Sequence, residues 1–186
     1  MPESDQNRPL DLRTLSEGMP GLTPEVGGGL AQAAAVCLEH NSHPQGVCLD
    51  VEGAESACFA VSWTPATDQV RRTHADLQDA TEHGACGVAI AISREVTGKQ
   101  VVEQSWKGRG KGRGFGFDYW LGDVSDDLVF TRDLRLEVSG VLNGSSSDVK
   151  RRLKEKVEQV SRFGNAVPGL AVVVAFAQPK AFLGQP

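Results

Sequence analysis

Two carboxylates sit where a strand pattern would bury them. Asp118 stands in the aromatic run FGFDYWLG, and Glu137 stands in the alternating run LRLEVSGV. An ionised carboxyl inside a strand is costly to remove from water unless something uses its charge. Two neighbouring strands that turn such acids toward one cleft can hold Mg2+, a hard cation that takes oxygen ligands and keeps several waters. A cation held in this way polarises a phosphate and activates the attacking water. Glu103, in VVEQSW, offers a third metal-ligating carboxylate on a neighbouring strand. The alternative is that strand alternation turns these acids to solvent.

Immediately before Asp118 the chain runs SWKGRGKGRGFG. Lys107, Arg109, Lys111 and Arg113 place four positive charges in seven residues, and the glycines between them let the charges follow a phosphate backbone. The run is not a phosphate-cradling P-loop. That motif needs a strand before it, a helix after it and a Ser or Thr following the Lys. The whole chain carries a net charge of -5, which argues against a protein that coats nucleic acid by bulk charge. Contact with nucleic acid would therefore use this local basic segment, extended by Lys150, Arg151 and Lys154 further along.

The elements that must position these groups follow from pattern and punctuation. Thr23, Pro24 and Glu25 have the types of an N-cap, a first helical position and a first turn. They predict a helix to about His40, with its start weakened by the glycines at 27 to 29. GVCLDV and SACFAVSW predict a β-hairpin. Residues 67–82 predict a surface helix stopped near Gly84. CGVAIAIS, almost continuously apolar, predicts a strand covered on both faces. QVVEQSW, FGFDYWL and a segment centred on Leu136 predict three more strands. Residues 146–163 predict a helix with Val149, Leu153, Val157 and Val160 on one face, and GLAVVVAFA predicts a last strand. The resulting order is α-β-β-α-β-β-β-β-α-β. It implies an α/β (α+β) single domain over residues 21–180, with a mixed central sheet flanked by helices, after a flexible arm over residues 1–20.

From about residue 100 to 178 this arrangement resembles the core of the PD-(D/E)XK nuclease superfamily. A strand bears Asp118, the next bears Glu137, and DVKRRLKEKVEQVSRF and LAVVVAFA supply the following helix and strand. The resemblance implies a restriction-endonuclease-like fold with Asp118 and Glu137 as Mg2+ ligands. The implied activity is hydrolysis of nucleic acid, in a setting such as phage defence. The third motif position holds Ser139, where the family carries a Lys that orients or deprotonates the attacking water. Lys150 or Lys154, on the next helix, is expected to supply that charge. Gln159 to Phe163 resembles the Gln-x-x-x-Tyr element of some branches, with Phe in place of Tyr. Ser139 leaves a second implication open: an inactive relative that binds nucleic acid or a partner protein as a subunit of a larger complex. ATEHGACGVAIA and FDYWLG also resemble a widespread group of bacterial proteins with a shorter KGTGFDYWLG-like junction, so the basic glycine stretch would extend a shorter turn.

Cys37, Cys48, Cys58 and Cys86 each fall in an apolar segment and none forms a CxxC pair. Four thiols and no zinc site are expected. The N-terminal MPESDQNRPLDLR lacks a signal-peptide core, and no run approaches the roughly 18 apolar residues of a membrane span. These features predict a cytoplasmic protein without membrane contact.

Overall fold

Strand pairing in the computed structural model gives one eight-stranded mixed sheet, described over residues 8–53, 56–105, 117–124, 130–162 and 166–185. The strands are β1 (Arg8–Asp11), β2 (Val47–Gly53), β3 (Ala57–Ser62), β4 (Gln100–Gln104), β5 (Tyr119–Gly122), β6 (Leu134–Val141), β7 (Gly169–Ala175) and β8 (Lys180–Gly184). The helices are α1 (Pro24–His40), α2 (Asp68–Thr73), α3 (Leu77–Thr97) and α4 (Ser146–Ser161). The sheet order is β1-β3-β2-β8-β7-β6-β5-β4. β4, β5 and β6 run as an antiparallel meander, β7 lies parallel to β6, and β8 returns antiparallel to β7. The α/β (α+β) reading with a mixed sheet therefore holds. Among the described residues no helix is long and apolar enough to cross a membrane.

Period-two alternation sorts the side chains into two layers. Leu134, Leu136 and Val138 of β6, with Leu170, Val172 and Val174 of β7, join the main core beneath α1 and α3. Val173 and Ala175 of β7 and Phe182 of β8 turn the other way, against Val149 and Leu153 of α4. α4 opens with a capping box: Ser145 accepts from the Asp148 N–H, and the Asp148 carboxylate accepts from the Ser145 N–H. Leu153→Asp would set an unpaired charge in this second layer and should cost about 2 kcal/mol or more. A urea midpoint equal to that of the parent chain would show that α4 does not dock by this face.

The structure departs from the sequence expectation at several elements. CGVAIAIS is not a strand. It is the buried half of α3, which runs unbroken through Gly84 and ends at Gly98, where φ is 72°. Continuous apolarity marks a segment covered all round and does not separate a buried strand from a buried helix. The glycines are there for close approach: a Cβ at Gly84 would stand 2.9 Å from the Cα of Ala34 on α1. Gly84→Val should therefore cost about 1–3 kcal/mol by overpacking. Gly29→Ala, on α1 where a Cβ meets nothing within 4 Å, should leave stability equal or raise it by up to about 1 kcal/mol. Denaturant melts of the two variants test this contrast.

The expected helix over 67–82 is two elements, α2 and the start of α3, separated by the Asp76 N-cap. α1 begins at Pro24 despite its glycines, with Thr23 as its N-cap. The stretch taken as a flexible arm contains β1, parallel to β3 and closing one sheet edge. The tail holds the further strand β8. The expectation of four thiols also fails. The hairpin register sets Asp50 opposite Cys58 and Cys48 opposite Ala60, so Cys48 and Cys58 are diagonal neighbours and their sulfurs are joined as a disulfide. Cys37 and Cys86 are not part of the disulfide.

Candidate functional site

The polar face of β6 carries the site. Arg135, Glu137 and Ser139 alternate with Leu134, Leu136 and Val138, so they point away from the main core. β5 pairs with β6 through Tyr119 opposite Leu136, Trp120 opposite Arg135 and Leu121 opposite Leu134. One step beyond that register lie Asp118 and Glu137, whose side chains are in hydrogen-bonding contact. Asp118 Oδ2 accepts the Val138 N–H at 2.8 Å, where the β5 ladder has ended. This bond holds the carboxylate on the strand end. Asp118 is 8% exposed and Glu137 3%.

α4 supplies the counter-charge. Lys156 Nζ donates to Glu137 Oε1 at 2.5 Å and to Gln159 Oε1 at 3.2 Å. Arg152 Nη1 donates to Ser139 Oγ at 3.3 Å and to the Gly140 carbonyl at 3.1 Å. Arg152, Lys156 and Gln159 are spaced i, i+4, i+7, one flank of the helix beside its apolar stripe. Burial, reinforced by the Asp118 charge, pushes Glu137 up to about 7 from its ordinary 4.5, against the opposing pull of the Lys156 ammonium. The acid therefore shares its proton with bulk water near neutral pH.

A cavity of about 960 Å³ opens over these groups. Its walls come from the start of α3 (Gln78, Glu82, His83), from Gln104 and Phe117, from β6 and from α4. Phe117 packs edge-on against Trp120, with ring centroids 4.7 Å apart, and so fixes the wall beside Asp118.

Each residue singled out from sequence has a definite place. Asp118 and Glu137 come together as expected. Glu103 does not join them. It is ion-paired with Arg132, whose guanidinium lies 5.4 Å from the Trp120 ring, and it lines a separate shallow surface with Phe130. Lys150 is not the lysine of the site either. It is exposed on the other flank of α4, where its charge acts on Glu52 of β2. Lys154 is exposed on that flank as well. Lys107, Arg109, Lys111 and Arg113 lie outside the described residues, as does Phe163. The flanks of the basic segment, Gln104 and Phe117, both line the cavity. Sequence reasoning missed Lys156, Arg152, Gln104 and Glu82. Helical spacing groups Arg152 and Lys156, but two basic flanks border the same stripe and spacing alone does not choose between them.

The donor set fits a small hard cation. Two carboxylates from adjacent strands meet in an open cavity, and burial with the Asp118 charge raises the pKa of Glu137 to about 7 even with Lys156 beside it. No family model, curated protein or solved structure matches this chain.

Proposed function

We propose that the cavity is the active site of a Mg2+-dependent phosphodiesterase acting on nucleic acid, with the PD-(D/E)XK type of constellation. The observation that carries this reading is the contact of Asp118 with Glu137 in an open cavity, with Lys156 on Glu137. Asp118 and Glu137 would hold the cation. When bound, it would polarise the phosphate and lower the pKa of a water.

The chain's own residues supply the rest. Val138 N–H keeps Asp118 aimed into the cavity. A bound cation would favour the ionised form of Glu137, offsetting the burial and the Asp118 charge that raise its pKa. Lys156, steadied by Gln159, is in direct contact with Glu137. It takes the part of the motif lysine absent at position 139, orienting the attacking water and balancing charge on the phosphate oxygens. Arg152, anchored on Ser139, presents a second cation to the substrate backbone.

A second reading rests on Ser139. With no lysine on β6, the same cavity would bind nucleic acid or a partner protein without cutting. Purified chain is incubated with single- and double-stranded DNA and RNA in Mg2+ or Mn2+. Cleavage that disappears in EDTA and in Asp118→Ala supports the first reading. Binding without cleavage supports the second, and cleavage unchanged in Asp118→Ala removes the site from the chemistry.

A further inference from the structure

Toward the other edge of the sheet from the acids, the β2–β3 hairpin assembles a different donor set. Leu49 and Val51 of β2 and Phe59 and Val61 of β3 face the core. Cys48, Asp50 and Cys58 alternate with them and share the opposite face. The Cα atoms of the two cysteines are 5.8 Å apart, and Cys48 Sγ lies 3.2 Å from Asp50 Oδ1. One ligand atom from each residue falls within 4.8 Å of the other two. The cysteines are half-buried and Asp50 is exposed, so an ion has a path to them.

We propose that the reduced Cys48–Cys58 pair and Asp50 bind one thiophilic divalent cation of the zinc type, with water in the fourth position. A phosphine or dithiol reductant opens the disulfide with two electrons and two protons. Binding then releases the two thiol protons as two sulfur–metal bonds form, with no change of oxidation state. Two sulfurs and one oxygen suit a borderline-soft tetrahedral ion, where the all-oxygen pair at 118 and 137 suits Mg2+. Two thiolates and a carboxylate exceed a divalent ion by one negative charge, and Lys180 Nζ stands 3.9 Å from Asp50 Oδ2 while paired to Glu52 at 2.8 Å. The remaining cysteines do not compete. Cys37 is fully buried, and that burial pushes its thiol up to about 11. Cys86 lies in the acid cavity.

The test uses the full chain, reduced with phosphine, stripped of metal and titrated with Co2+ as the optical probe and then with Zn2+. One equivalent of Co2+ should produce a thiolate charge-transfer band, and Zn2+ should bleach it. Cys48→Ser and Cys58→Ser should each abolish the band, Asp50→Asn should weaken binding at least about tenfold, and Glu103→Gln, at a carboxylate remote from the hairpin and from the acids, should change nothing. The reduced parent chain failing to develop the band would overturn the proposal, and so would a band that survives both serine variants. A disulfide that resists the phosphine in the folded chain, leaving two titratable thiols, would overturn it as well.

Discussion

Lys156→Met should lower metal-dependent cleavage by about 100-fold or more, the usual loss when a positioned proton-transfer or charge-stabilising group is removed. Lys150→Ala and Lys154→Ala should leave the rate unchanged in the same assay. The three lysines share one helix, so only their placement separates them. Lys156 Nζ is 2.5 Å from Glu137, whereas Lys150 faces Glu52 across β2. The methionine variant carries a second signature. Without the ammonium, no other described residue opposes burial and the Asp118 charge, so Glu137 rises above about 7 and is less often ionised at neutral pH. Part of the lost rate should therefore return as the pH is raised, while the parent profile levels off earlier. Equal loss for all three lysines, or no loss in Lys156→Met, would remove this helix flank from the mechanism.

The second large effect concerns the chain without its cation. Glu137 keeps its proton in the folded state up to about pH 7, while in the unfolded chain it loses it near 4.5. Folding between those values takes up a proton, so this group's contribution is fully present below about pH 4.5, declines as the pH rises and is gone above about 7. In EDTA the parent chain should lose up to about 3 kcal/mol across that window, at about 1.4 kcal/mol per pH unit. Glu137→Gln, which cannot ionise, should lack the decline and be the more stable chain at pH 8. Mg2+ should restore the parent at pH 8 and do little for the variant, since a ligand stabilises only the state that binds it. Urea melts at pH 5 and pH 8, with and without Mg2+, measure all four quantities. Parallel pH profiles for the two chains would mean that Glu137 is ionised in the folded state across the whole range.

Local signals were readable wherever a backbone rule acts within a few residues. Thr23 and Pro24 mark the start of α1 because an N-cap oxygen and a ring-fixed φ act on the first turn alone. The alternation in LRLEVSGV identifies β6 and puts Glu137 on its polar face, because strand side chains repeat every two residues. The stripe of Val149, Leu153, Val157 and Val160 identifies the buried face of α4. The suspicion that Asp118 and Glu137 belong together also came from sequence, through the cost of placing charge inside strands.

Other assignments depended on what each segment meets. GACGVAIAI folds as helix because α1 offers a groove that accepts Gly84 and Gly87, and no periodicity within the segment records that groove. Cys48 and Cys58 meet because hairpin register, set by the whole β2–β3 pairing, makes them diagonal neighbours. Glu103 lies near the acids in strand order, yet Arg132 draws it into a different contact. The choice of lysine is the clearest case. Two basic flanks border the stripe of α4, one carrying Arg152 and Lys156, the other Lys150 and Lys154. Composition and spacing treat them alike. The helix joins two parallel neighbours, β6 and β7, and lies along the sheet with one flank toward β6 and the other toward β8 and β2. The amino-acid sequence alone determined which residues are acidic, which are basic and which face of α4 is buried, since those are properties of residue type and local period. Which basic flank meets the acids was decided by the tertiary path of the crossover, because the distance between a charge on α4 and a charge on β6 exists only once the helix is laid on the sheet.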